Sequence, residues 1–398
     1  MKRGNHGNSK TVLMLASVAS MIDQFNMPNI RLLQKMGYQV HVACNFKKGN
    51  TCNEDHIRKM KQVLHQMHVP WHQWDCPRSV YAVASCFRAY RQLLELTGRY
   101  RFDWIHCHSP VGGVLARLAA HQRGMRVIYT AHGFHFYQGA PVRNWLLYYP
   151  VEKLLAHWTD VLITVNQEDY ILANRKLKAK KIYRVPGVGV STVKVKQAGQ
   201  NRRDFCRTYQ IPERSWILLS VGELIPRKNH VKVLKAVASM GRTDVYYIIC
   251  GQGRLNKILC QQAEQLGIGG RLRMAGFQEN LEDFYQNCDI FVFPSIQEGL
   301  PAALMEAMTA GMPCVVSDIR GNRELIRNPG KDMFYLPESG CVRFPYHDAD
   351  CLCRILLNMF ADENLRKCCA QQNKKVIERY DIRKVYTEMQ RIYEKMEI

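Results

Sequence analysis

The stretch Phe293-Pro-Ser-Ile-Gln-Glu-Gly-Leu-Pro-Ala-Ala-Leu-Met-Glu-Ala-Met-Thr-Ala-Gly-Met-Pro-Cys-Val-Val-Ser317 decides how this chain folds. The apolar run leading into it, Asp289-Ile-Phe-Val-Phe293, reads as a buried strand, and Pro294 stops that strand. Ser295 to Gly299 form a loop. Pro301 suits the first turn of a helix, where a missing N–H costs nothing, and Ala302 to Ala310 are good helix formers. Gly311 ends the helix, Pro313 blocks its extension, and Cys314-Val-Val316 begins the next strand.

Two carboxylates stand out in this stretch, Glu298 before the helix and Glu306 inside it. At a helical rise of about 1.5 Å per residue, eight positions place them roughly 12 Å apart or less. That is the span of a nucleotide sugar from its sugar ring to its ribose. Carboxylates accept hydrogen bonds from sugar hydroxyls, and the N–H groups of a helix N-terminus bind phosphate. One segment therefore has the parts to hold both ends of such a donor. Taken alone, the same pattern also describes a solvated helix with two surface glutamates.

The rest of the chain repeats strand–helix alternation on either side of residue 190. In the first half, Thr11–Val18, Gly37–Ala43, Asp103–His108, Arg126–Thr130, Asp160–Val165 and a segment from Tyr183 read as strands. In the second half, Trp216–Val221, Val245–Cys250, Leu272–Phe277, the stretch above and Cys341–Phe344 do the same. The fold class is α/β, with two Rossmann-like domains expected over 1–189 and 190–382. A last helix over 383–398 is expected to cross back onto the first domain, and Thr192–Arg203, polar throughout, is the expected hinge. Residues 1–10 read as frayed.

Composition limits the function classes. With 47% hydrophobic residues in 398, the chain can build real cores. No apolar run approaches the roughly 18 residues of a membrane span, and Thr11–Ala19 reads as a strand rather than a signal peptide. Fifteen cysteines without a CxxC pair suggest reduced thiols and a cytoplasmic setting. The net charge is +22, and residues 1–190 carry 26 basic against 10 acidic side chains. Such an excess fits an anionic partner. No paired zinc ligands or aromatic-basic RNA motif is present, so nucleic acid is not the expected one. No Gly-x-Gly-x-x-Gly opens either half, which argues against a dinucleotide cofactor.

Several local patterns carry two readings. Asp23, Gln24 and Asn26 follow the first strand, where acceptor contacts belong; Asp23 equally reads as a cap for the helix expected after the loop 19–24. His106-Cys-His108 suggests a metal or, more simply, alternating core and loop positions at a strand end. Asp348-Ala-Asp350 is a metal string in other folds, but before an apolar helix Asp348 reads as an N-cap. The basic amphipathic segments Asp55–His68 and Arg78–Leu96 read as packed surface helices or as membrane-surface helices. Their stripes are Ile57, Met60, Leu64 and Met67 in one, and Val80, Val83, Phe87, Tyr90 and Leu94 in the other.

In the second half, Gly222-Glu-Leu-Ile-Pro-Arg-Lys-Asn-His230 follows a strand and precedes a helix, which is good phosphate-binding chemistry for Arg227 and Lys228. Gly251-Gln-Gly253, also after a strand, suits close backbone approach to a nucleotide, and Gln278 is placed to line a base pocket. Asp318–Leu325 follows the next strand and is placed to close the site.

The anchor stretch, with its Glu-x7-Glu inside Pro-Ser, Glu-Gly-Leu-Pro and Ala-Gly-Met-Pro, resembles the retaining GT-B glycosyltransferases of family 4. Residues 105–189, with His132 after a strand and Val185-Pro-Gly-Val188 before the second half, resemble the branch that works in bacterial exopolysaccharide and capsule synthesis. The resemblance covers nearly the whole chain and is most specific at 128–149 and 289–325. It implies two domains facing a cleft and retaining transfer from a UDP-sugar, UDP-GlcNAc first, with no metal and no cofactor. The implied acceptor is a lipid-diphosphate-linked saccharide at the inner face of the cytoplasmic membrane, which the basic N-terminal domain would meet. His132 and Glu298 would be catalytic. Arg227, Lys228, Gly251, Gly253, Gln278, Ser295, Gly299, Leu300 and Glu306 would bind donor, and Asp23, Gln24, Asn26 and His108 acceptor. Two departures stand out: Glu223 occupies a usual Arg position, and Ser20-Met21 replaces a Gly-Gly pair. The competing readings are a non-enzymatic nucleotide-binding Rossmann protein and a glycosyltransferase with a soluble acceptor.

Overall fold

The structure, a computed structural model, describes residues 10–50, 52–192, 199–326 and 341–396. Residues 193–198 of the expected hinge and residues 1–9 of the expected frayed start lie outside them. The described chain forms two compact units. One comprises the residues up to Gly187 and those from Val385 on, the other Val188–Lys384.

The first unit is built on seven parallel strands: β1 Thr11–Val18, β2 Gln39–Asn45, β3 Trp71–Gln73, β4 Trp104–His108, β5 Arg126–Ala131, β6 Val161–Thr164 and β7 Lys181–Arg184. Their order is β3-β2-β1-β4-β5-β6-β7. Leu13 of β1 registers with His41 on one side and Ile105 on the other, in the middle of the sheet. Helices cover both faces, which is why β1 reads as an almost unbroken apolar run and is buried along nearly all its length. The second unit repeats the plan with β8 Trp216–Val221, β9 Val245–Cys250, β10 Leu272–Gly276, β11 Ile290–Phe293, β12 Cys314–Ser317 and β13 Cys341–Phe344, ordered β10-β9-β8-β11-β12-β13. In each sheet the winding reverses once, between β1 and β4 and between β8 and β11. Doubly wound sheets bind ligands at the carboxyl ends of the strands flanking that reversal.

Two local expectations fail for identifiable reasons, and one short strand goes unread in the sequence. The helix after β1 spans Ala19–Lys35 and starts with no loop, its N-cap being Val18. Asp23 therefore lies in its second turn and caps nothing. Pro28 sits inside this helix, where it leaves the Gln24 carbonyl without its i+4 donor. The second basic helix runs Val83–Arg99 rather than Arg78–Leu96, and Arg78 instead donates to the Gly49 carbonyl at 3.2 Å. Strand β3 has only three residues, too few for an alternation to show in sequence. The first basic helix, Glu54–Gln66, packs Ile57, Met60 and Leu64 inward, so packing takes the stripe that a membrane reading needs. Its Lys61 lies over the Trp71 ring, 4.5 Å from the centroid.

The chain ends in the helix Ile382–Glu394, whose later part belongs to the first unit. There Tyr393 is fully buried, stacks on Trp104 with ring centroids 5.5 Å apart, and its hydroxyl meets His106 Nδ1 at 3.0 Å. Asp348 caps the helix Ala349–Ala361, accepting the Cys351 N–H at 2.8 Å. Among the described residues no three His, Cys, Asp or Glu side chains gather as a metal-binding group.

Candidate active site

In the second unit the reversal point lies between the ends of β8 and β11, and both ends carry predicted residues. After β8, Gly222 opens a loop into a 3-10 turn at Pro226–Lys228. After β11, Pro294 ends the strand and the loop runs to Pro301, beyond which the helix Ala302–Thr309 begins. The two loops are tied together by backbone. Ile296 N–H donates to the Arg227 carbonyl at 2.8 Å, and Arg227 NH1 donates to the Gln297 carbonyl at 2.6 Å. Asn229 reinforces the tie. Its backbone is left-handed at φ 56°, and its Nδ2 donates to the carbonyls of Pro294 at 3.1 Å and Tyr346 at 2.9 Å. Sequence reasoning passed over Asn229, although an Asn before a helix is the residue type that tolerates such a backbone.

Glu298 is the centre of this arrangement. Its Oε1 lies 2.9 Å from Lys228 Nζ and its Oε2 3.1 Å from Arg227 NH1. Burial alone raises its carboxyl, but the Lys228 charge, then that of Arg227, outweighs burial and holds it below the usual carboxylate range. Lys228 is largely buried and lies over the Phe293 ring, 4.8 Å from its centroid, while Arg227 keeps solvent access. Three charges on adjoining loops leave one net positive charge where a strand end meets a helix start. That is chemistry for an anion.

Glu306 lies inside the Ala302–Thr309 helix, as expected, and its Oε2 accepts the Tyr285 hydroxyl at 2.8 Å. It retains solvent access although protein crowds around it. That crowding raises its carboxyl, opposed by the Tyr285 hydrogen bond and assisted by Glu282. Ser295 is fully buried, and its carbonyl accepts from the Ser317 hydroxyl. Gly299 and Leu300 continue the loop. Against it stands the helix Arg320–Leu325, where a Cβ on Gly321 would come within 2.7 Å of the Gly299 carbonyl oxygen. The 318–325 segment thus packs directly on the Glu298–Gly299 backbone.

The glycines after β9 have an internal reason. A Cβ on Gly251 would lie 1.9 Å from the Gly222 carbonyl oxygen, and one on Gly253 2.6 Å from that of Leu224. The ends of β8, β9 and β10 are laced by Gly222 N–H to Cys250 O at 2.9 Å, Leu224 N–H to Gln252 O at 3.0 Å and Gly251 N–H to Gly276 O at 2.7 Å. Gln278 turns back on that edge, its Nε2 donating to the Ala275 carbonyl at 2.5 Å.

In the first unit the strand ends beside the reversal carry hydroxyls and imidazoles instead. Ser17 and Ser109 share a hydrogen bond of 2.5 Å, and Ser109 holds a left-handed backbone at φ 67° just before the helix Pro110–Arg123. Gly112 is needed there, since a Cβ would fall 2.8 Å from Ser109 Oγ. His106, His108 and His132 form one column. His106 and His108 rings lie 4.2 Å apart, and His108 Nδ1 meets His132 Nε2 at 3.1 Å. Burial pushes His132 down to about 4 and His106 to about 3, His132 adding to the latter, and His108 is held well below its ordinary value. All three are neutral at pH 7.

His108 Nε2 is buried without a hydrogen-bond partner among the described residues. A proton there would be a stranded donor, so the favoured tautomer has it on Nδ1, donating to His132 Nε2. His132 then carries its own proton on Nδ1, on the side away from His108. The ring of Phe25, 5.7 Å away, flanks it. His108 itself is 2% exposed, so the expected acceptor contact is corrected: it buttresses His132 instead of meeting solvent. Asn26 is likewise fully buried, donating to the Met21 carbonyl at 3.1 Å, and lines no surface. Asp23 Oδ2 pairs with His56 Nε2 at 2.6 Å, and Gln24 is exposed.

Comparisons with known proteins agree with this division. Residues 201–376 match the family described as "Glycosyl transferases group 1", and residues 27–186 match the "Glycosyl transferase 4-like domain". The chain is 33% identical over 392 residues to EpsD of Bacillus subtilis, a glycosyltransferase by name, covering 97% of this chain and 96% of that one. It is 31% identical over 245 residues to an Escherichia coli protein named UDP-Gal:alpha-D-GlcNAc-diphosphoundecaprenol alpha-1,3-galactosyltransferase, covering 59% of this chain and 63% of that one. Among solved structures, Anabaena Alr3699/HepE in complex with UDP-glucose superposes with a TM-score of 0.75 at 15% identity, over 97% of this chain and 99% of that one.

Proposed function

From the premise that this chain belongs to the group 1 glycosyltransferases and has their GT-B fold, we propose that it is a retaining hexosyltransferase using a UDP-sugar. The acceptor we assign to it is a lipid-diphosphate-linked saccharide of exopolysaccharide or capsule synthesis. The observation that carries the reading is the Glu298 carboxylate bridging Lys228 and Arg227 at the reversal point of the second sheet.

In this reading the donor diphosphate takes the place of solvent beside Lys228 and Arg227, with the N-terminal amides of the 302–309 helix adding dipole. Charge builds on the departing nucleotide diphosphate as the glycosidic bond lengthens, and fixed cations stabilise that charge more than the ground state. Glu298 keeps the two cations in register and offers its carboxylate to a sugar hydroxyl. Glu306 takes the ribose through the oxygen that Tyr285 leaves open. Gly251, Gly253 and Gln278 shape the nucleotide side. His132, neutral and kept in its Nδ1–H tautomer by the hydrogen bond its Nε2 accepts from His108, supplies a hydrogen bond to the reacting sugar or a donor phosphate. No carboxylate is assigned as nucleophile; attack comes from the leaving-group side, with retention. No metal ion or other cofactor is needed, because side chains and amides carry the positive charge. The protein works on the cytoplasmic face of the membrane that holds its acceptor. Support for the acceptor comes from the E. coli relative's name and from the basic first half.

The test is a panel of UDP-sugars, UDP-GlcNAc, UDP-galactose and UDP-glucose among them, offered with a polyprenyl-diphosphate-linked saccharide. The product's anomeric configuration is read by NMR, with and without chelator. Transfer from one donor with retention, indifferent to chelator, is the expected result. Inversion, a metal requirement, or binding of UDP without any transfer defeats the corresponding part of the reading.

A further inference from the structure

The helix Val142–Ala156 of the first unit is apolar nearly all round, a pattern that belongs to a helix buried on every side or set in lipid. It is not buried on every side. Leu146 is 74% exposed, Val142 73% and Leu154 57%, and Leu147 and Val151 are also exposed. At 100° per residue these five occupy one half of the helix circumference.

The orientation of this face is fixed. The opposite side carries Glu152, buried and paired bidentately with Arg117 at 2.8 and 3.0 Å. Arg117 also donates to the Gly113 carbonyl and lies 4.0 Å from the Tyr129 ring centroid. Rotating the helix to hide its leucines would pull that pair apart and leave a buried charge without its partner. Beside it, around the start of the Val83–Arg99 helix, Tyr81, Val83 and Phe87 are exposed as well. Tyr81 lies close enough to Tyr148 of the first helix to act on its hydroxyl electrostatically, which brings the two exposed groups together.

We infer that this two-helix apolar face is a membrane-docking surface that inserts shallowly among anionic lipid headgroups. Charge selects the occupant. The exposed positions of 142–157 hold Arg143 and Lys153 and no acidic side chain, and next to Phe87 stand Arg88 and Arg91. At 100° per residue Arg143 stands within the apolar half and Lys153 near one edge of it; long cationic side chains there keep their heads at headgroup level while their stems lie on the apolar surface. A second copy of this chain would bring the same positive charges to the contact and be repelled. This face rests on the proposed lipid-linked acceptor only for its purpose. It keeps the exposed start of the second basic helix that the sequence offered and drops the first, because the 54–66 helix spends its stripe on packing.

The experiment floats the full chain with phosphatidylcholine vesicles, with and without phosphatidylglycerol. Binding is expected on the anionic vesicles and should weaken in salt as the Debye length shortens. The double variant Leu146→Gln, Leu154→Gln should lower vesicle partitioning at least tenfold, with UDP affinity unchanged. Arg143→Glu with Lys153→Glu should lower it on anionic vesicles only. Equal wild-type binding to both vesicle types, or unchanged partitioning of the leucine double variant, overturns the proposal. So does a wild-type dimer in sedimentation that this variant turns into monomer, since the face would then serve self-association. If vesicle binding depends on the leucines but no lipid-diphosphate acceptor is glycosylated, the docking face stands and the acceptor assignment fails.

Discussion

The two sheets share one winding order, and each reverses at its first strand, yet the chemistry set at the two reversals is opposite. At β8 and β11 the structure places charges: Glu298 within 3.1 Å of both Lys228 and Arg227. At β1 and β4 it places neutral groups: Ser17, Ser109, His108 and, one strand on, His132. Topology chooses where a ligand goes, and side-chain charge chooses which ligand. A fixed positive cluster suits a diphosphate. Neutral hydroxyls and imidazoles suit a sugar, which offers hydrogen bonds and no charge.

Acid should break this comparison most strongly. In the first unit burial lowers His41 and His132 to about 4 and His106 to about 3, and holds His108 well below its ordinary value. Their ordinary value is 6.5, so below it protons bind the unfolded chain first. Stability is therefore complete above pH 6.5 and declines as pH falls toward 4, by about 1.4 kcal/mol per pH unit for each fully buried histidine. The second unit holds only His230 in this way among its described residues, at about 3. Glu298, lowered, contributes stability lost only below the ordinary carboxylate range. Hydrogen exchange compared at pH 7 and pH 5 should show the first unit losing protection first. Parallel loss in both units contradicts the contrast.

Next in size are the two single substitutions that separate charge from neutral hydrogen bonding. Lys228→Ala should reduce transfer by roughly a hundredfold to a thousandfold and weaken UDP binding by about tenfold or more, because it leaves Glu298 with one cation. His132→Ala should lower turnover comparably and leave UDP affinity, read by calorimetry, near wild type. His108→Ala should reproduce part of the His132 loss, and the double variant should fall short of the product of the two, since one acts through the other. A change in UDP affinity on removing His132 would place nucleotide binding in the wrong unit.

The smallest expected effect is that of Glu306→Gln, about tenfold in UDP affinity with the fold retained. Glutamine keeps the acceptor oxygen that Tyr285 needs and removes only the charge. Unchanged affinity would leave Lys228 and its neighbours as the whole nucleotide site.

What the sequence determined was local and periodic. Apolar runs of four to eight residues between turn signals specified most strands, because a strand covered on both faces has no other way to read. Proline and glycine set the ends of the 302–309 helix, and the Glu298–Glu306 spacing singled out the stretch on which the second unit's site is built. Asp348 was legible as a cap because the helix it starts follows at once. Tertiary structure decided what depends on distant residues. Asn26 and His108 looked available beside strand ends and are buried, since a neighbouring element covers them. Gly251 and Gly253 look like a ligand-binding motif, yet it is the backbone of Gly222 and Leu224 that leaves no room for a Cβ there. Two basic amphipathic helices looked alike, yet one spends its stripe on packing and the other exposes its first turn. The 142–156 helix carries apolar residues nearly all round, and only the Arg117–Glu152 pair fixes which side faces in. Periodicity says that a helix has an apolar face; only the partner that covers that face, or its absence, says what the face is for.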